Sequence, residues 1–344
     1  MAAAPAAEVL IVSLGATEGL RHGDGELCEC LRQAGAEVAL ARARRPRELP
    51  TLALTDLAWA LSARACATAA LTRMSRPPRA IIYSSTTAAL LWPAPGAIRF
   101  DAPASGNRPG RHGLWQRPLE RRRLSQAPLL LPWSEGAMAE LAPSVRRDAE
   151  ALVLPVSASP SGPAGERDIA VLTYGANPLK KGLDRLLAAW RRLREEDPRA
   201  GAWELLIAGT SEEELARAGL DAAIAPGARV LGPLSSEEYR ALLRRARVFA
   251  CAPRREDYGI AQLEALADGC QLVTTPAPGP YAALALAHEL DPRLVGEDLT
   301  RALRTALADP LPGYAARASV LLEPYSRGAV ERLVAEELVP RLLA

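Results

Sequence analysis

Short apolar runs alternate along this chain with stretches whose apolar residues recur every three or four positions. Residues 8–15 (EVLIVSLG) read as a buried strand closed by a glycine. In 26–34, Leu27 and Leu31 share one helical face before Gly35 stops the helix, and 37–41 resumes as a strand. That is a β-α-β unit. Residues 56–72 read as a helix, 80–83 and 96–100 as short strands, 129–131 as another strand and 134–141 as a helix. Residues 101–126 read as loop-like at first and then as strongly basic.

The stretch 157–166 (SASPSGPAGE) is rich in Ser, Pro and Gly and has no apolar period, so it reads as a linker. Beyond it the alternation restarts. Strands are expected at 169–173, 203–208, 230–231, 248–252 and 271–274, and helices at 182–196, 236–245 and 260–267. Strand–helix alternation on both sides of a linker predicts an α/β chain of two doubly wound parallel sheets. Ligands of such sheets sit at the carboxyl ends of the strands, so a cleft between the two domains is the expected site. The expected division is 1–156, a linker at 157–166, 167–312, and a helical tail from 313 to 344. In that tail Val330, Leu333, Val334, Leu338 and Leu342 keep helical spacing.

The length of 344 residues suits two domains, and 49% hydrophobic residues suffice for two cores. With only two Phe and seven Tyr, those cores must be built from Leu, Ala and Val. The net charge of +2 is unevenly spread: 19 Arg face 14 acids up to Pro155, and 23 bases face 26 acids after it. A basic first half suits a phosphate-bearing ligand, an anionic membrane surface or nucleic acid, although a solvated Arg-rich face has the same composition. The basic run 117–123 reads as a solvated helix face rather than as a nucleic-acid contact. The five Cys have no metal spacing, and an odd count without an export-type leader predicts reduced thiols in the cytoplasm.

The chemistry concentrates in residues 253–269 (PRREDYGIAQLEALADG). A strand runs into a charged loop, then Gly259, then a helix whose free N–H groups suit a diphosphate. Glu256 before the helix would accept hydrogen bonds from sugar hydroxyls, and Glu264 within it from a ribose diol. Residues 174–190 (YGANPLKKGLDRLLAAW) hold the chain's only two Lys, 180 and 181, beside Asn177, one of only two Asn. A compact point charge is wanted there rather than the planar fork of Arg. Gly15-Ala16-Thr17-Glu18-Gly19 lacks the spacing of a dinucleotide-binding fingerprint. No Asp-x-Asp pair occurs, so neither a bound metal nor a cofactor is expected.

The second half resembles the retaining glycosyltransferases of GT-B fold, group 1 (family 4). Glu256, Gly259 and Glu264-Ala265-Leu266-Ala267-Asp268-Gly269 match that family's Glu-x-x-Gly and Glu-Ala-x-Ala-x-Gly motifs. Lys181-Gly182 matches its Lys-Gly, while Ala176 stands where its Arg is usual, leaving Lys180, Arg254 or Arg255 to supply the second cation. The resemblance implies two Rossmann-like domains facing a cleft, with the last helix crossing back to the first. It also implies a metal-independent hexosyl transfer from a nucleotide-diphosphate sugar to a small-molecule, glycan or lipid acceptor.

By the same resemblance Glu256, Lys181 and Asp101 would be catalytic. Gly19, Lys180, Arg255, Gly259 and Glu264 would bind the donor. Asp101 follows Phe100 where the family often has His-Asp, and Arg108, Arg111 and His112 are candidates for orienting the acceptor. Two other readings stay open: a catalytically inactive scaffold that binds a nucleotide-sugar or a partner, and a nucleic-acid or membrane-surface binder, the latter making a peripheral membrane contact through the Arg-rich first half.

Overall fold

The computed structural model describes residues 7–47, 49–220 and 225–344. They divide into two units, Met1–Ser157 with Arg327–Ala344, and Ala158–Ser326. The first holds strands β1 (Val9–Ser13), β2 (Val38–Arg42), β3 (Ala80–Tyr83), β4 (Ala97–Phe100) and β5 (Leu130–Pro132), all parallel in the order β2-β1-β3-β4-β5. Alternate side chains of β1 feed opposite faces. Leu10 and Val12 join a core with Tyr83 and Phe100, while Val9 and Ile11 join one with Leu27, Leu31 and Ile82. A strand covered on both faces reads as a continuous apolar run, which is why its sequence pattern is so clear.

Val330, Val334 and Leu338 of the chain's last segment fill the second of these cores. The helical spacing of that segment is interrupted by a π turn at Val334–Leu338, just before Pro340, which has no N–H for a helical hydrogen bond. The segment joins the first unit at Arg327, whose guanidinium reaches Glu29 at 3.3 Å and Glu26 at 3.8 Å. Helix Tyr314–Leu321, placed by sequence in the returning tail, belongs to the second unit, where the Tyr314 hydroxyl accepts from Leu272 N at 3.2 Å.

The Ser/Pro/Gly stretch is anchored through its first half. Ser157 N donates to Glu26 Oε2 at 3.1 Å within the first unit. Ala158 N donates to Tyr325 O at 2.8 Å and Ser161 N to Asp268 Oδ1 at 2.7 Å within the second. The basic run read as a helix face lies on helix Gln116–Gln126, whose buried face is made of Gln116, Glu120 and Leu124. Two polar residues among the three inward positions hide the apolar period.

The second unit holds β6 (Ile169–Tyr174), β7 (Leu205–Ala208), β8 (Ala228–Gly232), β9 (Ala246–Ala250) and β10 (Gln271–Val273), parallel in the order β10-β9-β6-β7-β8. The order reverses between β6 and β9. At such a switch point the two following loops leave the carboxyl edge in opposite directions and open a crevice. Helix Leu183–Glu196 follows the loop after β6, and helix Ile260–Ala267 the loop after β9.

Candidate functional site

The crevice between β6 and β9 brings together the two segments that carry the sequence motifs. In the loop after β6, Asn177 has φ 56°, the only positive φ of a non-glycine among the described residues. Asn tolerates that left-handed conformation. Its carbonyl accepts from Lys181 N at 3.1 Å, so the scarce Asn shapes the turn that carries the scarce lysines. Gly182 closes the loop at φ 66°, and a Cβ there would run into Ala252 O. The loop after β6 therefore lies directly on the backbone leaving β9.

Arg254 completes this clasp. Its guanidinium takes both oxygens of Asp184, at 2.8 and 2.7 Å, and Leu179 O at 2.7 Å. Considered from sequence as a replacement for the missing Arg, it is committed to holding the loop. Lys180 and Arg255 share one acid: Lys180 Nζ lies 3.3 Å from Asp257 Oδ2, and Arg255 Nε 2.9 Å from Oδ1. The two cations thus meet on the two oxygens of one carboxylate.

Lys181 Nζ donates to Glu256 Oε2 at 2.7 Å. The same oxygen accepts from Gln262 Nε2 at 3.1 Å. Glu256 Oε1 has no protein donor among the described residues and is not sealed from solvent. Glu256 is 6% exposed, so a carboxylate here depends on those two donors. An ammonium has three N–H donors, and the bond to Glu256 leaves two for a ligand.

Behind the pair, Gln262 Nε2 also approaches Cys251 Sγ at 3.5 Å, and Tyr281 OH bonds Thr274 Oγ1 at 3.0 Å. Burial pushes the Cys251 thiol and the Tyr281 phenol up, which keeps this backing neutral. Gly259 starts helix Ile260–Ala267 at φ 93° without a side-chain cap, and a Cβ would come within 2.8 Å of the Tyr281 ring. The uncapped N–H groups of the first turn remain available to an anion. Glu264, one turn on, pairs with Arg240 at 3.2 Å, and Arg240 also holds Asp268 at 2.7 Å.

Within the first unit, Gly19 lies in the first turn of helix Glu18–Gln33, which follows β1. Asp101 directly follows β4, and its Oδ1 accepts from Ala102 N at 2.8 Å. Phe100 is buried in the core, so an apolar side chain fills the position of the family's usual His. Arg108 clamps Asp56 through two bonds of 2.6 and 3.0 Å, a tie from its loop to helix Leu52–Arg73. Arg111 and His112 are exposed on the turn Gly110–Gly113.

Sequence reasoning missed Gln262, Asp257 and Arg240. Gln262 had a signal: it is the one uncharged polar residue in IAQLEALA, at a position that shares a face with Leu266. Arg99 also went unread. It stands in the middle of β4, donates to Gly23 O at 3.0 Å and lies over the Trp133 ring at 4.9 Å, a buried structural anchor of the first unit.

Residues 168–311 match the family model "Glycosyl transferases group 1". A GDP-mannose:cellobiosyl-diphosphopolyprenol alpha-mannosyltransferase of Xanthomonas oryzae pv. oryzae is 31% identical over 119 residues, 33% of this chain and 30% of that protein. Among solved structures, a UDP-forming alpha,alpha-trehalose-phosphate synthase from Burkholderia vietnamiensis aligns at TM-score 0.69 and 14% identity, covering 97% of this chain and 99% of that one. WaaG, a glycosyltransferase involved in lipopolysaccharide biosynthesis, aligns at TM-score 0.66 and 13% identity, covering 96% and 95%. At such identities the structures speak for the fold, and the family model for the second unit. The likeness to the group 1 glycosyltransferases thus rests on residues 168–311, in a chain whose two α/β units have the GT-B fold.

Proposed function

We propose that this chain transfers a hexosyl group, with retention and without a metal, from a nucleotide-diphosphate sugar to an acceptor hydroxyl. The observation that carries the reading is the Lys181–Glu256–Gln262 cluster at the switch point, beside the uncapped helix start at Gly259. In this reading the two remaining N–H donors of Lys181, the Gly259 helix start and the charge of Lys180 and Arg255 receive the diphosphate. They stabilise negative charge as it grows on the leaving oxygen. Glu256 Oε1 accepts from a hydroxyl of the transferred sugar, and Glu264 from the ribose.

The bond from the anomeric carbon to the diphosphate oxygen breaks, and the acceptor oxygen bonds to that carbon on the same face. The acceptor proton passes to the departing phosphate oxygen. Asp101 and Gly19 are assigned to the reaction through the first unit, and Arg108, Arg111 and His112 to the acceptor. Arg108 is the weakest of these because Asp56 already holds it. The mannosyltransferase relative acts on a lipid diphosphate, which supports a glycan or lipid acceptor. Five free thiols support a reducing, cytoplasmic setting.

A thermal-shift screen of nucleoside diphosphates and their sugars tests the reading, followed by release of nucleoside diphosphate from the sugar that binds. A native-state ligand raises the melting temperature. Binding with turnover supports transfer. Tight binding without release across acceptors would replace it with an inactive scaffold.

A further inference from the structure

Helix Ser236–Arg245 runs into β9, and helix Ile260–Ala267 follows the loop after it. The two helices pack together, and Arg240 of the first reaches the second. Its guanidinium meets three different groups. Nη1 lies 3.2 Å from Glu264 Oε1, Nε donates to Asp268 Oδ2 at 2.7 Å, and Nη2 donates to Ser159 O at 2.7 Å. A planar fork serves three acceptors at fixed angles, whereas an ammonium on a flexible stem is a single point charge.

Two of these contacts are anchors. The Asp268 side chain is fully buried, so its carboxylate depends on its donors. Besides Arg240 it accepts from Ser161 N at 2.7 Å and from Ser161 Oγ at 3.0 Å. Burial works against the charge of Arg240, and the bonds to Asp268 and Glu264 raise its pKa above the ordinary arginine value. With Asp268 and Ser159 O fixing the guanidinium, its remaining edge holds Glu264, whose side chain keeps 15% exposure. Glu264 lies five residues beyond Gly259. That is roughly 7.5 Å along the helix axis, a spacing that the ribose of a diphosphate seated at the helix start can bridge.

We propose that Arg240 is a positioning residue that makes this site selective for ribonucleotide donors. It holds the Glu264 carboxylate in place for the ribose diol, so the 2′-hydroxyl meets an acceptor that needs no ordering on binding. A carboxylate prepared in this way is left unsatisfied by a nucleotide that lacks the hydroxyl, and such a site rejects the poorer ligand strongly. The inference rests on the assignment of Glu264 to the ribose and adds what fixes that residue: a guanidinium tied to Asp268 and to the Ser159–Ser161 backbone.

The test is calorimetric titration of the full chain with uridine, guanosine and adenosine diphosphates and with their 2′-deoxy counterparts. The wild type is expected to bind at least one ribonucleotide about ten-fold more tightly than its deoxy form. Arg240→Lys keeps a charge for Asp268 but loses the fork. It should bring that ratio to about two-fold or less, with deoxynucleotide affinity within about two-fold of wild type. Arg240→Gln with Asp268→Asn removes both buried charges together, so neither is stranded, and carries the same expectation if the lysine variant does not fold. Arg244→Gln removes a charge of the same helix that binds Ser161 Oγ and should leave the ratio unchanged. Equal loss in that control would overturn the proposal. A folded Arg240 variant that keeps the ratio, or weakens both nucleotides alike, would reduce Arg240 to a structural role and overturn it too. So would a wild type that binds both forms equally, with the diphosphate reading left standing. A panel in which no diphosphate binds would overturn that reading and this inference with it.

Discussion

Lys181 Nζ and Glu256 Oε2 lie 2.7 Å apart although 75 residues separate them in the chain. They meet because β6 and β9 are neighbours where the strand order of the second sheet reverses. Gly182 and Arg254 then press one loop onto the other. The pair therefore joins sheet topology to chemistry: a cation held by a carboxylate, with donors to spare at the mouth of a crevice.

Replacing that cation removes the proposed contact with the leaving diphosphate. Lys181→Ala should lower kcat/KM for the nucleotide-sugar by about ten-fold or more, since charged hydrogen bonds contribute about 1.5–3 kcal/mol. Lys181→Arg should restore little, because a planar fork does not reproduce a point charge seated on Glu256. The measurement is initial rate against donor concentration, with the melting temperature as a check on folding.

Gln262 is expected to act through Glu256 as a positioning residue. Gln262→Leu removes one of the two donors to Glu256 Oε2 and should lower kcat/KM about ten-fold. Gln262→Glu sets a second carboxylate against Glu256, and like charges raise each other's pKa. Its deficit relative to wild type should therefore shrink as the pH falls from about 8 to about 6. A pH-independent deficit would speak for a merely structural role.

Gly182 has a backbone reason to be glycine. Gly182→Ala meets both φ 66° and the Ala252 carbonyl, so it should destabilise the second unit by about 3 kcal/mol or more. Gly201→Ala, with nothing near its Cβ, should change stability by about 0.5 kcal/mol or less. Denaturant titration of the two variants compares them directly.

Burial raises the Glu120 carboxyl in the first unit to about 7, opposed by Thr86, Ala104 N and Arg108, with Asp56 adding to the rise. A carboxyl raised on folding stabilises fully below its unfolded value, and that contribution is lost as pH climbs through the folded one. The first unit should therefore lose stability between about pH 4.5 and about pH 7. Glu120→Gln keeps an acceptor for Ala104 N, which both Glu120 oxygens approach at 2.9–3.0 Å, and should flatten the profile. Melting curves across that range, for both proteins, check it.

How much of this the chain revealed in advance varied with the physics of each part. Strands such as β1 and β6 are covered on both faces and read directly as apolar runs. Lys181 and Glu256 were legible because each stands in a motif-bearing loop after a clear strand. Their pairing was not, since register and strand order join them only in three dimensions. Helix Gln116–Gln126 was legible only as a basic helix face, because two of its three buried positions are polar. Arg254 looked like a ligand cation because Asp184, which claims it, lies 70 residues earlier in the chain. The 157–166 stretch looked free because the groups that anchor it, Glu26, Asp268, Arg240 and Arg244, lie 80 or more residues away in the chain.

The most direct test of the central claim is calorimetric titration of nucleoside diphosphates against the wild-type chain and Lys181→Ala. The account predicts that at least one diphosphate binds, that its monophosphate binds far more weakly, and that the variant loses about ten-fold or more in affinity. A panel in which no diphosphate binds, or one that binds the variant as tightly as the wild type, would contradict it.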